Sequence, residues 1–249
     1  MSFFQRLFGP PNAENLLEAQ DVEGLIAALN RNLDACQAAV EALGQLGDRR
    51  AVDPLAAILP GTDMRESAAR ALGQIGAAQA VRPLISALND IPQVAAEALA
   101  EIGTPSVDPL ISALQTKDLK VRWAAAQALA EIGAPAVEPL IGLLEDNRRD
   151  LHPAVAWALG QTGDARGLDP LIAVLGHEES DVRRIAAQEL GRLGDRRAVE
   201  PLIPALNDED EAVREVVAKA LESITGQAFD EDNGDWQSWW SKQPRPSTR

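Results

Sequence analysis

Apolar residues recur along this chain at helical spacing, in short blocks separated by Gly, Pro and Asp. In residues 118–145 the apolar set Val121, Ala124, Ala125, Ala128, Leu129 and Ile132 falls at i, i+3, i+4, i+7, i+8 and i+11, one face of a helix. Asp118 stands where a side chain caps a helix N-terminus, and Gly133 where a left-handed residue ends one. A second helix begins at Ala134-Pro135-Ala136 and carries Pro139 in its first turns, where a missing N–H costs least. Val137, Leu140, Ile141 and Leu144 form its apolar face, and Asp146-Asn147 stop it. The unit is two antiparallel helices joined by a tight Gly turn. Each helix is too short to persist alone in water.

The same pattern recurs. A-L-[GA]-x-x-G places its Leu at Leu43, Leu72, Leu99, Leu129, Leu159, Leu190 and Leu221 (with Glu189 in the Ala place of the sixth copy). About ten residues on, a small-[VL]-[DE]-P-L-I phrase places Pro54, Pro83, Pro109, Pro139, Pro170 and Pro201, with Gly24 in the equivalent position. The Pro intervals are 29, 26, 30, 31 and 31 residues. Self-similarity at this period means a solenoid, which works as a surface. No strand-like alternation appears. The predicted fold is all-α, a right-handed α-solenoid of about seven helix pairs. The predicted organisation is an N-terminal cap over 1–20, the repeat array over 21–226, a Trp-rich C-terminal cap over 227–242 and a disordered tail over 243–249.

These residues resemble the HEAT family, in particular the short bacterial and archaeal HEAT-like repeats first noted in phycobilin lyase subunits. Asp181-Val182-Arg183, Ala186-Ala187, Glu189-Leu190-Gly191, Leu193-Gly194-Asp195 and Ala198-Val199-Glu200-Pro201-Leu202-Ile203 carry the likeness. It spans roughly residues 13–226. In such solenoids the second helix of each pair lines the concave side, so the resemblance implies a binding face there. It also offers an alternative activity, a phycobilin lyase or lyase-like chaperone subunit acting on a tetrapyrrole-binding protein.

Composition narrows the partner. The net charge of −15 disfavours a nucleic-acid backbone and an anionic membrane, and suits a basic protein partner. The single cysteine, Cys36, rules out a disulfide framework and fits a reducing compartment, so cytoplasm is the expected location. No apolar run reaches the length of a membrane span. Phe3, Phe4, Leu7 and Phe8 leave two readings open, a cap packed on the first repeat or a docking or membrane-touching peptide. Trp236, Trp239 and Trp240 share a helix face. They either cap the last repeat or form an exposed aromatic patch, the latter permitting self-association.

Comparison of repeats column by column isolates what varies. Seven residues before the phrase Leu stand Cys36, Arg65, Pro92, Arg122, His152, Arg183 and Arg214. Two residues earlier stand Asp34, Asp63, Asp90, Lys120, Asp150, Asp181 and Ala212. This Asp-x-Arg column is expected to cap helices and to reach the Asp48, Asp164 or Asp195 turn of a neighbouring repeat. The step from Pro83 to Leu99 is four residues shorter than the later ones, which predicts a tight connection at Asn89-Asp90 and a change of superhelical pitch. Just before the Pro stand Glu23, Asp53, Arg82, Asp108, Glu138, Asp169 and Glu200. One turn on stand Ala27, Ala57, Ser86, Ser112, Gly142, Ala173 and Pro204. The acids suit a helix's first turn through its dipole. They also draw an acidic edge beside a floor of small residues, a groove for a basic or extended segment. The candidate partner-binding residues are Asp53, Asp108, Glu138, Asp169 and Glu200, with Trp123, which falls outside the apolar stripe, as an anchor.

The inventory for catalysis is poor: two histidines, one cysteine and no tyrosine. No zinc-ligand cluster, P-loop or nucleophile elbow is present. His177-Glu178 invites comparison with deoxyhypusine hydroxylase, a HEAT-repeat enzyme whose di-iron site uses several such pairs. One pair cannot assemble that site, so His177 reads as a solvated loop residue and His152 as a helix start. Outside the termini only Trp123 and Trp157 are aromatic, too few to wall a bilin. The expected function is a non-catalytic protein–protein scaffold with no cofactor or metal.

Overall fold

The computed structural model describes residues 12–30, 33–61, 63–146, 148–229 and 233–243, and every regular element among them is helical. The chain forms an all-α repeat fold. It divides into two compact units, residues 1–128 and 129–249.

In the first unit, α1 (Ala13–Glu18) and α2 (Val22–Ala28) precede α3 (Leu33–Leu46) and α4 (Val52–Ala56). They are followed by α5 (Arg65–Ile75), α6 (Val81–Ala87), α7 (Pro92–Ile102) and α8 (Val107–Leu114). The next helix, α9 (Leu119–Ile132), contains the unit boundary. In the second unit, α10 (Ala134–Glu145), α11 (His152–Gln161), α12 (Leu168–Ala173) and α13 (Ser180–Leu193) lead to α14 (Val199–Ala205), α15 (Glu211–Thr225) and α16 (Asn233–Trp240). The longer first helices stack on one another, α3 on α5 on α7 and, in the second unit, α11 on α13 on α15.

Two leucine columns hold the layers. Leu43, Leu72, Leu99, Leu129, Leu159, Leu190 and Leu221 are each 0 % exposed. So are Leu25, Leu55, Leu84, Leu110, Leu140, Leu171 and Leu202 beside the Pro column. Burying one leucine side chain stabilises by about 1.5–3 kcal/mol, and the repeat supplies two in every layer. The alanine-rich first helices let backbones approach. A Cβ on Gly73 would sit 2.9 Å from Ala98 Cα, so α5 and α7 meet at a distance that only glycine allows.

The Gly turns come in two forms. Gly76 and Gly194 are left-handed, with φ 67 and ψ 19, and φ 69 and ψ 10. Gly103 and Gly133 share the positive φ but turn ψ to −136 and −130. This differs from the left-handed ending expected at Gly133, and the reason lies in chain length. Gly76 and Gly194 stand seven residues before Pro83 and Pro201; Gly103 and Gly133 stand six before Pro109 and Pro139. With one residue fewer, the glycine must end one helix and cap the next. Its carbonyl accepts from Ser106 N–H or Ala136 N–H at 2.8 Å.

At the short step, Asp90 and Ile91 N–H both donate to the Ala87 carbonyl, and Pro92 is the first residue of α7. The proline starts the helix late, so α7 has 11 residues where α9 has 14. At the amino end, the Asn12 side chain accepts from Asn15 N–H at 2.9 Å and caps α1. Phe3, Phe4, Leu7, Phe8 and the tail beyond 243 lie outside the described residues.

Candidate functional site

Four of the five candidate acids sit in the first turns of second helices and Glu138 one turn into α10, each held there by the buried Val or Leu before it and the buried Leu two residues after it. Asp53 and Asp108 belong to α4 and α8 in the first unit; Glu138, Asp169 and Glu200 belong to α10, α12 and α14 in the second. All five are exposed. The small residues one turn on, from Ala27 to Pro204, are exposed too. Each unit therefore presents, repeat after repeat, an acid and a small side chain on a helix face that its core does not use. Trp123 on α9 is 39 % exposed, and Trp157 on α11 is half-buried.

The acids are not equivalent. Three residues after the turn glycines Gly47, Gly163 and Gly194 stand Arg50, Arg166 and Arg197. Arg166 clasps Asp164 two residues back, its Nε donating to Oδ1 at 3.0 Å and its Nη2 to Oδ2 at 2.7 Å. Its Nη1 then donates to Glu138 of the preceding repeat at 3.1 Å. Arg50 repeats the arrangement with Asp48 and Glu23, the latter at 3.2 Å. Arg197 clasps Asp195 and adds its field to Asp169. The hydrogen bonds from Arg50 and Arg166 hold the Asp48 and Asp164 carboxyls down at about 2. At the corresponding turns after Asp53, Asp108 and Glu200 the third residue past the glycine is Gln79, Ala136 and Phe229. Those three acids lack the clasping arginine. The signal was in the sequence, as an Arg three residues after the turn Gly wherever Asp follows that Gly.

The first-helix arginines go elsewhere than expected. Arg183 pairs with Asp208 through Nε and Nη2 at 2.7 and 2.8 Å and donates through Nη1 to the His177 and Glu178 carbonyls. Arg122 donates to Thr116 O at 2.8 Å, and Arg214 to Asp208 O at 3.0 Å. These arginines tie the inter-repeat loop that precedes their own helix. They cannot reach the Asp48, Asp164 or Asp195 turns, because those lie at the far end of a helix roughly 20 Å long.

His177 is not a solvated loop residue: it is half-buried against His152, itself 5 % exposed. Glu189 is 0 % exposed. Gln161 Nε2 donates to both its carboxylate oxygens, at 3.2 and 3.1 Å, and Arg192 Nε donates at 3.0 Å. At the C-terminus Trp236 is fully buried, with its indole N–H on Phe229 O at 2.7 Å. Trp239 and Trp240 are half-exposed, so the three tryptophans do not form one exposed face. Arg196 lies 5.8 Å over the Trp240 ring. Among the described residues no group of three or more His, Cys, Asp or Glu converges as metal ligands. No helix among them is long and apolar enough to cross a membrane.

The family model described as HEAT repeats matches residues 22–94, 89–151, 136–189 and 168–232. The chain belongs to the HEAT repeat family. No curated protein matches this HEAT repeat protein. Among solved structures, human deoxyhypusine hydroxylase in complex with glycerol is 22% identical over 86% of this chain and 89% of its own, with a TM-score of 0.43. The complex of CpcE and CpcF of phycocyanin lyase from Nostoc sp. is 25% identical over 88% and 93%, with a TM-score of 0.40. A designed armadillo repeat protein in complex with the peptide (KR)4 is 18% identical over 82% and 100%, with a TM-score of 0.41.

Proposed function

We propose that this HEAT repeat protein is a non-catalytic, cytoplasmic scaffold that binds basic, extended segments of another protein on the exposed second-helix face of each unit. The observation that carries the reading is the difference among the acids. Glu23 and Glu138 are engaged by arginines of the next turn, while Asp53, Asp108 and Glu200 have no arginine at that position. Those three carboxylates are left for a partner's Lys or Arg. The small residues beside them leave room for an incoming backbone, and Trp123 offers an aromatic anchor. A net charge of −15 speeds the encounter with a cationic segment.

The test is the affinity of a Lys/Arg-rich peptide, followed by fluorescence anisotropy, for the wild type and for the triple reversal Asp53→Lys, Asp108→Lys and Glu200→Lys. The reversal is expected to weaken binding about tenfold or more, with helical content unchanged. Equal affinities in the two proteins would remove the groove from consideration.

A further inference from the structure

The two histidines of the chain, 25 residues apart in sequence, meet in the second unit. His152 Nδ1 lies 3.0 Å from His177 Nε2. The groups at either end of the pair fix its protons. Glu179 N–H donates to His177 Nδ1 at 3.1 Å, so that nitrogen carries a lone pair and His177 Nε2 carries the hydrogen. His177 Nε2–H then donates to His152 Nδ1. His152 is left with its hydrogen on Nε2, and that nitrogen lies 3.1 Å from the Asp146 carbonyl, which accepts it. Three hydrogen bonds run in one direction from Glu179 N–H to Asp146 O, and every donor meets an acceptor only when both rings are neutral.

We propose that the His152–His177 pair is a proton-sensitive latch, closing the 174–179 segment onto the start of α11 when both rings are neutral and releasing it on acidification. A proton added to His177 goes to Nδ1 and confronts the Glu179 N–H. A proton added to His152 goes to Nδ1 and confronts the His177 Nε2–H. Either event sets donor against donor and breaks the chain. A metal ion between the rings would need a lone pair on His177 Nε2 and hence a hydrogen on Nδ1, where the Glu179 N–H already points.

The surroundings supply the bias. The latch lines a recess of 410 Å³ with Leu144, Asp146, Arg149 and Val174. Burial and the neighbouring His152 push the His177 pKa below its ordinary 6.5, with Arg149 adding to the effect and Glu179 and Glu178 opposing it. Glu145 and Asp146 border the recess from the preceding repeat. Glu178 is drawn off by its ion pair with Arg149. Arg183 of α13 faces the same loop, with its charge paired to Asp208. Because His177 is depressed in the folded state, the unfolded chain takes the proton first. Stability is complete above about pH 6.5 and is lost as pH falls through that value toward the folded pKa.

With only two histidines in the chain, the experiment is a two-bond ¹H–¹⁵N correlation spectrum of the uniformly labelled full-length protein, recorded from about pH 8 to about pH 5. Both rings are expected as Nε2–H tautomers at the upper end. On acidification the exchange protection of the Glu179 amide is expected to fall about tenfold or more. His177→Gln keeps an N–H for His152 and an acceptor for Glu179 N–H but cannot take the proton, so its thermal midpoint should vary less over the same interval. An Nδ1–H tautomer in either ring of the wild type at about pH 8 would overturn the proposal. So would equal loss of stability in the wild type and His177→Gln.

Discussion

Glu189 occupies a column that holds alanine in the other six repeats, and it is fully buried there. It faces Gly160, whose missing side chain gives it space, and Arg192 reaches past it to the Gly160 carbonyl. The two positions are therefore coupled. Gly160→Ala alone is expected to destabilise by about 1–3 kcal/mol through overpacking. Adding Glu189→Ala should recover only part of that loss, because the atom nearest the new methyl is the Glu189 Cβ, which alanine keeps; a denaturant double-mutant cycle measures the coupling. The turn glycines separate in the same way. Asn tolerates the left-handed region, but not ψ near −130 at positive φ. Gly133→Asn should cost more than Gly194→Asn, read as thermal midpoints. Asp48 and Asp164, held at about 2 by their arginines, add stability that is complete above the ordinary carboxylate pKa of about 3.9 and lost as pH falls through about 2. Carboxyl NMR titration checks both values.

At the scale of elements, helix pairs were legible because one period governs them: the phrase leucines and the Pro column fix both helices, and the leucines of both columns are buried. Leu110→Ala should cost about 2–5 kcal/mol in chemical denaturation. The clasping arginines were harder to read. Arg50, Arg166 and Arg197 lie in short 3-10 turns between the helices, which carry no periodic apolar signal. Their partner, two residues back, is visible only once the turn brings the guanidinium around. The Asp-x-Arg column misled for the opposite reason. Its sequence register was correct, but register does not say toward which end of a helix a side chain extends. The histidine contact was illegible because His152 and His177 meet through a fold, across 25 residues, and His177 lies in an inter-repeat loop outside every repeated column.

For the whole molecule, the excess of acid is the dominant long-range property. Affinity for a cationic segment should fall steeply as ionic strength rises past about 0.1 M, where screening acts over about 10 Å; a salt series of the peptide titration checks it. The acidic faces were readable from the sequence as a column. Which of their members are already engaged was not, because engagement depends on the next repeat's turn. At the C-terminal end, α16 packs on α14 and buries Trp236. Trp236→Ala should lower stability by about 3–5 kcal/mol in the second unit.

The matching turns at Gly163-Asp164 and Gly194-Asp195 make the array's length a free variable. Excising residues 164–194 would splice Gly163 directly to Asp195 and regenerate the same seam. Arg197 would inherit Glu138, and Gly160 would face Ala220, as Gly191 does now. A gene for this protein can shorten or lengthen by one whole layer without rewriting a single core residue, while every such edit removes or adds one acid from the exposed face. Growth by copying thus changes what the surface can hold and leaves the scaffold's chemistry of folding as it was.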